Sequence, residues 1–289
     1  MLMELQDLLK PSNLDLHKTL VLRHVPMEPN IRRILPWLVV QRPDLFNAFQ
    51  QIQNQKVEKQ MLKAEHVVSF FGHETNRAVF LGLYRVRDRK SISSSSLNKL
   101  AEQKELVSLG MKPADSRPDF VKFDLVETDI LSKWKGKLII DWPPPGIAWS
   151  RWADANKFYV DAILEESMLE GKMPDWRELI LTWEELQVIP KKLQTKLAEW
   201  RGIYFILDEK SGKGYVGSAY GLENIHGRWV NYKKTGHGNN KLLLNCNPSD
   251  LRFSILERVS PDMDPKEIIS RENSWKERLH TREFGLNIN

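Results

Sequence analysis

Residues 202–217, GIYFILDEKSGKGYVG, constrain the fold more than any other stretch of the chain. Two runs rich in β-branched and aromatic residues flank a polar segment that contains glycine, a pattern that predicts a β-hairpin. Tyr204 and Tyr215 fall on the two predicted strands. Because valine or isoleucine would suit a sheet equally well, the two tyrosines indicate a function that needs hydroxyl groups on neighbouring strands.

The hairpin opens a predicted domain that spans residues 200–289. We expect a helix at GLENIHGRWVNYKK, a strand at DLRFSILERVS, and a last helix that starts in PDMDP and closes at Gly285. The aspartate and proline at its start are typical of a helix N-terminus, and the glycine is typical of its end. The order β-β-α-β-α predicts a small antiparallel sheet flanked by helices, and the whole chain is assigned to the α+β class.

Five separated elements of this domain resemble the GIY-YIG nuclease family. They are GIY at 202–204, YVG at 215–217, GRW at 227–229, ENSWK at 272–276 and the final FGLN. The resemblance implies a GIY-YIG endonuclease domain that hydrolyses phosphodiester bonds in DNA. The family pattern carries over to an active site made by these residues: Tyr204, Tyr215, Arg228, Glu272 and Asn287. Arg228 lies thirteen positions after Tyr215, a spacing somewhat longer than in compact family members.

Tyr232 joins this set because the position four residues after the family's arginine is often histidine or tyrosine. Residues four apart share one face of a helix, so Tyr232 can lie beside Arg228 over a phosphate. A tyrosine near a metal and an arginine can accept a proton from water if its pKa is lowered. Tyr204 and Tyr232 are both candidates for this general base. We favour Tyr204, with Tyr232 and Tyr215 orienting water and phosphate.

The chemistry of phosphodiester hydrolysis suits the charged members of the set. Arg228 offers a planar fork of donors to a phosphate and keeps its charge at neutral pH. A hard divalent cation prefers carboxylate and water oxygens and stabilises charge on the leaving oxygen. We therefore expect Mg²⁺ or Mn²⁺ as cofactor, with Glu272 as its single protein ligand. His237 and Lys241 follow the predicted helix and are candidate DNA contacts, although His237 also suits an ordinary loop position.

Residues 1–195 are predicted to form a separate α/β domain that recognises DNA or a modified base. Strand-like runs alternate with helical pieces, the serine-rich stretch 89–96 suggests a flexible loop, and residues 161–200 suggest helices. Prolines hold an aromatic-rich loop, PPPGIAWSRWAD, on a constrained backbone. Its residues Trp149, Arg151 and Trp152 are candidate nucleic-acid contacts, since an aromatic ring beside an arginine can stack on a base. By analogy alone, the domain could be a small PUA-like barrel.

These features suggest a restriction or phage-defence enzyme whose N-terminal domain selects the DNA, including DNA with modified bases. Two alternatives stay open: a nuclease of repair or of a mobile element, and a catalytically inactive DNA-binding adaptor. Since one active site cuts one strand, a homodimer is one way to break both strands.

Composition sets broader limits on the function. The formal net charge of +5 permits a polyanionic partner without requiring one. A lone cysteine, Cys246, leaves no intrachain disulfide and favours a reducing, cytoplasmic setting. The N-terminal residues lack the basic start of a signal peptide, and no apolar run approaches the roughly 18 residues of a membrane span. We therefore expect no membrane association.

Overall fold

The computed structural model describes residues 2–114, 117–170 and 173–288. The chain divides into two compact units, Met1–Gly171 and Lys172–Asn289. The sequence prediction put the division between residues 195 and 200. It lies earlier because Ile180–Thr182 forms a strand that pairs with residues 252–254 of the second unit. Residues 161–200, expected to be helical, thus contain two strands as well as helices.

The described residues of the first unit form a seven-stranded mixed sheet and six α-helices. Its strands are β1 (Thr19–His24), β2 (His66–Gly72), β3 (Arg77–Ser93), β4 (Asp119–Glu127), β5 (Leu138–Asp141), β6 (Ser150–Trp152) and β7 (Val160–Ile163). Its helices are α1 (Leu5–Leu9), α2 (Pro29–Gln41), α3 (Pro43–Gln51), α4 (Gln55–Met61), α5 (Ser94–Leu97) and α6 (Ala101–Ser108). Short 3₁₀ turns lie at Lys10–Ser12, Leu16–Lys18, Ser132–Trp134 and Met168–Glu170.

The strand order of this sheet is β6-β1-β2-β3-β5-β7, and β4 pairs with the far half of the long strand β3. β1 and β2 are parallel, with Thr19 opposite His66. A parallel pair needs a long crossover, which α2, α3 and α4 supply. Among the described residues the pairing is an open path rather than a closed ring, and the PUA-like barrel stays a prediction.

The serine-rich segment 89–96 is ordered, unlike the flexible loop that was predicted. Its first residues continue β3, and Ser93 then caps α5 by accepting a hydrogen bond from the backbone N–H of Ser96 at 3.2 Å. Serine competes with the backbone for hydrogen bonds, so at a helix start it stabilises structure. Composition alone does not distinguish the two outcomes.

The second unit is a four-stranded antiparallel sheet with helices on both faces. Its strands are β8 (Ile180–Thr182), β9 (Arg201–Asp208), β10 (Lys213–Ala219) and β11 (Leu251–Val259), in the order β10-β9-β11-β8. Its helices are α7 (Trp183–Gln187), α8 (Lys191–Glu199), α9 (Asn224–Thr235) and α10 (Pro265–Arg278), with 3₁₀ turns at Leu243–Asn245 and Pro248–Asp250. The predicted order β-β-α-β-α is present from β9 to α10, and the α+β assignment of the chain is confirmed.

Alternation along β9 sets the two faces of this sheet. Ile203 packs with Val216 and with Ile268 of α10, whereas the next residue, Tyr204, contacts Tyr232 of α9. Successive residues of a strand point to opposite faces, so α9 and α10 lie on opposite faces of the sheet. Among the described residues, no helix combines the length and the apolar character that crossing a membrane requires.

Candidate active site

Three tyrosines form one cluster on the α9 face of the sheet. The ring centroid of Tyr204 lies 6.3 Å from that of Tyr215 and 6.1 Å from that of Tyr232, and the last two rings are 6.5 Å apart. The hydroxyls of Tyr204 and Tyr232 are 3.2 Å apart and share a hydrogen bond. The structure therefore brings together the phenols of both tripeptides and of the helix.

The hairpin register explains how the two strand tyrosines approach each other. Tyr204 is paired with Gly217 and Tyr215 with Ile206, so both tyrosines point to the same face of the sheet and both rings approach Gly217 of β10. A Cβ at Gly217 would lie 2.4 Å from the Tyr204 hydroxyl oxygen and 2.9 Å from a ring carbon of Tyr215. The last glycine of the YVG tripeptide thus makes room for both rings.

Arg228 reaches this cluster from α9. Its Nε donates a hydrogen bond to the Tyr204 hydroxyl at 3.3 Å. Trp229, the next residue, is fully buried against Phe253 of β11 and anchors the helix. Since Arg228 itself is exposed, its remaining guanidinium donors are accessible to an anion.

Burial controls the protonation of two of the three phenols. Tyr204 and Tyr232 are almost completely buried, and loss of hydration raises the pKa of both groups. Arg228 acts in the opposite direction on both but has a smaller effect. A general base needs a lowered pKa, so the environment of Tyr204 opposes the role that the sequence analysis favoured. The nearby phenols in turn raise the pKa of Arg228, which stays charged.

Tyr215 differs from the other two tyrosines in its surroundings. It is half-buried, and its hydroxyl makes no side-chain hydrogen bond within residues 173–288. It is the phenol of this cluster that is left available to a water molecule or to a substrate.

Glu272 of α10 is held by a different set of contacts. Its Oε1 lies 2.7 Å from the Lys276 ammonium, and its Oε2 accepts a hydrogen bond from the Ser218 hydroxyl. Ser218 is the cross-strand partner of Ile203 and so points to the α10 face, away from Tyr204 and Gly217. The contacts of Glu272 therefore lie on the α10 side of edge strand β10, whereas the phenols and Arg228 lie on the α9 side. The structure does not bring Glu272 into the tyrosine cluster itself.

The donor set around Glu272 can be compared with the needs of a divalent cation. Among the described residues, no group of three or more His, Cys, Asp or Glu side chains is placed to hold a metal ion. Mg²⁺ is often held through one or two carboxylates, with water and substrate phosphates completing its shell. Glu272 fits such a single-carboxylate role, provided that the Lys276 ammonium moves away from Oε1.

Asn287 supports the sheet with its polar atoms instead of offering them to a substrate. Its Oδ1 accepts from the Val216 N–H, and its Nδ2 donates to the Val216 carbonyl, both at 2.9 Å. The neighbouring Leu286 N–H donates to the Gly214 carbonyl at 2.8 Å. The C-terminal segment thus pairs with the outer edge of β10, and Asn287 acts on the cluster through the strand that carries Tyr215.

The two predicted DNA contacts after α9 lie in a loop that packs on the tyrosines. A Cβ at Gly238 would lie 2.3 Å from the ring of Tyr232. His237 is half-buried, with its Nδ1 accepting from the backbone N–H of Asn239 at 3.1 Å. Lys241 is exposed. His237 therefore organises the loop, and Lys241 is free to meet a solvent-side ligand.

The three predicted contacts in the first unit have different environments. The Arg151 guanidinium donates to the carbonyls of Pro143 and Pro145, both at 3.0 Å, and to Asn156 at 2.8 Å, so it holds the proline loop. Trp149 and Trp152 are both half-buried. Being three positions apart in an extended segment, they point to opposite faces, and Trp149 alone of the two lines a large cavity.

Sequence reasoning missed Ser218 and Lys276, the two partners of Glu272. Lys276 lies four residues after Glu272, a spacing that places opposite charges together on a helix and could have been noticed. Ser218 directly follows the YVG tripeptide, but no local pattern links it to a residue 54 positions away.

Two solved structures are similar to part of the chain. The catalytic domain of the homing endonuclease I-TevI matches at 32% identity over 31% of this chain and 98% of that chain, with a TM-score of 0.27. A mutant of the catalytic domain of the intron endonuclease I-TevI matches at 31% identity over 31% of this chain and 94% of that chain, with a TM-score of 0.26. No family model and no curated protein matches the chain. Both neighbours are catalytic domains of an endonuclease.

Proposed function

We propose that the protein is a metal-dependent DNA endonuclease of the GIY-YIG type. The supporting observation is the meeting of three phenols and one guanidinium, drawn from β9, β10 and α9, on one face of the sheet. A packing role alone would not need hydroxyls and a charged group at this position. Buried polar groups carry a cost unless they are paired.

In this proposal Arg228 binds the scissile phosphate. Its Nε is used by Tyr204, which leaves both terminal nitrogens to donate to two phosphate oxygens in a planar fork. Tyr204 and Tyr232 stay protonated because burial raises the pKa of both. The Tyr204 hydroxyl holds the guanidinium in place, and the Tyr232 hydroxyl holds that of Tyr204; neither phenol carries charge itself.

Tyr215 is the proposed acceptor of the proton from the attacking water, in place of Tyr204. In this step Tyr215 first releases its own phenolic proton to solvent and then accepts the proton of the water as a phenolate. It is the more exposed phenol, and its hydroxyl has no side-chain partner within residues 173–288. A base must reach the water that it activates, and a substrate lying on Arg228 would bring that water to Tyr215.

Glu272 is the proposed ligand of Mg²⁺ or Mn²⁺. A bound divalent cation stabilises negative charge on the leaving oxygen. The C-terminal segment covers the outer edge of β10 at Gly214 and Val216. A DNA backbone would therefore have to cross β10 beyond them, near Ser218, to meet the α9 side and the α10 side together. Lys241 and His237 are proposed to contact the DNA beside this site.

The proposed setting is restriction or phage defence in the cytoplasm, with the first unit selecting the DNA. Modified and plain versions of one duplex, cut side by side, test this: a defence enzyme of this type discriminates between them. Equal cutting of both favours a repair or mobile-element nuclease. A homodimer is proposed for double-strand breaks, and the dependence of linear product on enzyme concentration checks it.

Nicking of supercoiled plasmid tests the activity itself. The full-length protein is expected to nick in Mg²⁺ or Mn²⁺ but not in EDTA, and Glu272→Gln is expected to remove the nicking. Gln keeps the size and a hydrogen-bond acceptor for Ser218 but loses the charge that holds a cation. Equal nicking by Glu272→Gln and the wild type would contradict the role given to this residue.

An inactive adaptor is the second candidate, and one observation favours it. Lys276 and Ser218 already occupy both oxygens of Glu272, as in a protein that no longer binds a cation there. This candidate predicts retention of DNA in a gel-shift assay without nicking under any metal condition.

A further inference from the structure

A cavity of about 660 Å³ lies within the first unit, beside the proline-rich loop before β6. It is bordered by the end of β1 and the residues that follow it, by α3, and by described residues on either side of it: Lys112, Ala114 and Arg117 before β4, and Gly146, Ile147 and Trp149 of the loop. Volumes of about 300–1,000 Å³ are typical of small-molecule and cofactor sites. Its residues play no part in the cluster of the second unit.

Three aromatic side chains give the cavity flat apolar walls. Phe49 and Trp149 are half-buried, and Phe120 is 3% exposed. The guanidinium of Arg117 lies over the Phe120 ring, 4.2 Å from its centroid. Such rings accept a planar heterocycle by stacking, and each stacked base contributes on the order of 1–3 kcal/mol.

A buried histidine supplies a polar group at the same wall. His24 is 3% exposed, and its Nε2 has no hydrogen-bond partner in the described part of the chain. Phe46 and Phe49 contact its ring edge-on, with centroid distances of 5.8 and 5.5 Å. Burial lowers the pKa of His24 to about 4, so the ring is neutral at pH 7 and offers a hydrogen bond without charge. A buried nitrogen without a partner is costly, and a ligand's polar edge would remove that cost.

Among the described residues of the cavity lining, positive charges outnumber negative ones. They are Arg23, Lys112 and Arg117 against one acidic residue, Glu28. Arg117 forms an ion pair with Glu58, in which its Nη1 lies 3.3 Å from Oε2 of the carboxylate. The guanidinium of Arg23 is stacked over Trp142, 5.1 Å from the ring centroid. Lys112 is exposed at the rim. Cations beside stacking surfaces suit a ligand that joins a planar ring to a phosphate.

We propose that this cavity binds one nucleotide swung out of the DNA helix, with its base between Phe49, Phe120 and Trp149. His24 would bond the edge of the base, and the cations would hold its phosphate. Extrusion of a base is favourable only where stacking and edge contacts offset the loss of pairing. The biological role of this site rests on the proposed nuclease function, because selection of DNA by one unit presupposes cutting by the other. Binding of a nucleotide to the cavity is independent of the nuclease function.

Calorimetric titration of the full-length protein with single nucleotides tests the site without any cutting. The probes are the four deoxynucleoside 5′-monophosphates, 5-methyl-dCMP, 5-hydroxymethyl-dCMP and N6-methyl-dAMP, with deoxyribose 5-phosphate as the probe that lacks a base. At least one nucleotide is expected to bind, and Trp149→Ala is expected to weaken it by about tenfold. Trp152→Ala is the matched control, since Trp152 is equally half-buried on the same segment but does not line the cavity.

Phe49→Leu provides a second variant that keeps apolar volume but removes a ring, should Trp149→Ala fail to fold. The proposal is overturned if no nucleotide binds, if deoxyribose 5-phosphate binds as tightly as the nucleotides, or if Trp149→Ala and Trp152→Ala weaken binding equally. Arg228→Ala separates this proposal from the nuclease function. It is expected to stop nicking and to leave nucleotide binding unchanged, so either function can fail alone.

Discussion

The Lys276 ammonium lies 2.7 Å from a carboxylate oxygen of Glu272, one turn earlier on the same helix, and both side chains are largely buried. This pair neutralises the charge that would attract a divalent cation. Release of the lysine must therefore accompany metal binding, so the stability of the ion pair and the affinity for metal are opposed.

Replacement of Lys276 by methionine is expected to tighten metal binding and to destabilise the metal-free protein. Without its partner, Glu272 becomes a largely buried, uncompensated carboxylate, which lowers the free energy of unfolding by up to about 3 kcal/mol. Thermal unfolding with and without Mn²⁺ measures both effects. Mn²⁺ should raise the Tm of K276M more than that of the wild type or of Lys266→Met, a control at an exposed position of the same helix. A smaller increase of the Tm by Mn²⁺ in K276M than in the wild type would contradict the proposal that Lys276 and the cation compete for Glu272.

Substitution of Gly217 by alanine is expected to disrupt the tyrosine cluster. The added Cβ would lie 2.4 Å from the Tyr204 hydroxyl oxygen, and overpacking of this kind costs about 1–3 kcal/mol. Gly221→Ala is the matched control, since a Cβ there meets nothing within 4 Å. Chemical denaturation gives the stability and plasmid nicking the activity. Gly217→Ala should have a lower free energy of unfolding and a lower rate of nicking than Gly221→Ala. Wild-type values for both would show that the rings do not pack against Gly217.

The second unit was largely predictable because its signals are local. The strands KGYVGSA and DLRFSILERVS, and the helix between them, follow from residue type and flanking glycines. β8 was not predicted because its three residues, ILT, are too few to show a period-two pattern. They form a strand because they pair with residues 252–254 of β11. The strand before the serine-rich stretch was predictable for the same local reason. The order of the stretch itself comes from pairing of its first residues with β4 and from the Ser93 cap of α5, and its composition shows neither.

For the site as well, the features set by local sequence were predictable and those set by long-range contacts were not. The approach of Tyr204, Tyr215 and Tyr232 follows from hairpin register and helix periodicity, which sequence shows. The placement of Glu272 depends on which face α10 covers, and the pairing of Asn287 with Val216 joins residues 71 positions apart. The pKa of Tyr204 is raised because the side chain is buried. That burial depends on tertiary packing and cannot be seen in the GIY tripeptide.

Alkaline titration should show that Tyr204 and Tyr232 ionise late. The pKa of each is raised by burial above the ordinary value of about 10, so the folded protein holds these protons more tightly than the unfolded chain does. Their contribution to stability is full below about pH 10 and is lost as pH rises through the folded-state values. Denaturation at increasing pH should therefore show a shallower alkaline loss in Tyr204→Phe than in the wild type. The same slope in both would contradict the burial effect.

Asn287→Ala is expected to loosen β10 and to reduce activity without touching the substrate. Both polar atoms of Asn287 bond to Val216, and leaving those buried backbone groups unpaired costs about 1–3 kcal/mol for each. Hydrogen exchange of the Val216 amide reports the loosening directly. Exchange as slow as in the wild type, together with lost nicking, would instead assign Asn287 to the substrate.

The rate of DNA cleavage by Arg228→Ala shows whether the tyrosine cluster is an active site, because Arg228 joins this cluster to the proposed phosphate. Under single-turnover conditions in Mg²⁺, the variant is expected to cleave about 10²- to 10³-fold more slowly than the wild type. Arg282→Ala, an exposed arginine of the same unit that pairs with Asn273 and Glu277, should cleave at the wild-type rate. Cleavage by Arg228→Ala at the rate of Arg282→Ala would contradict the proposal that Arg228 binds the scissile phosphate.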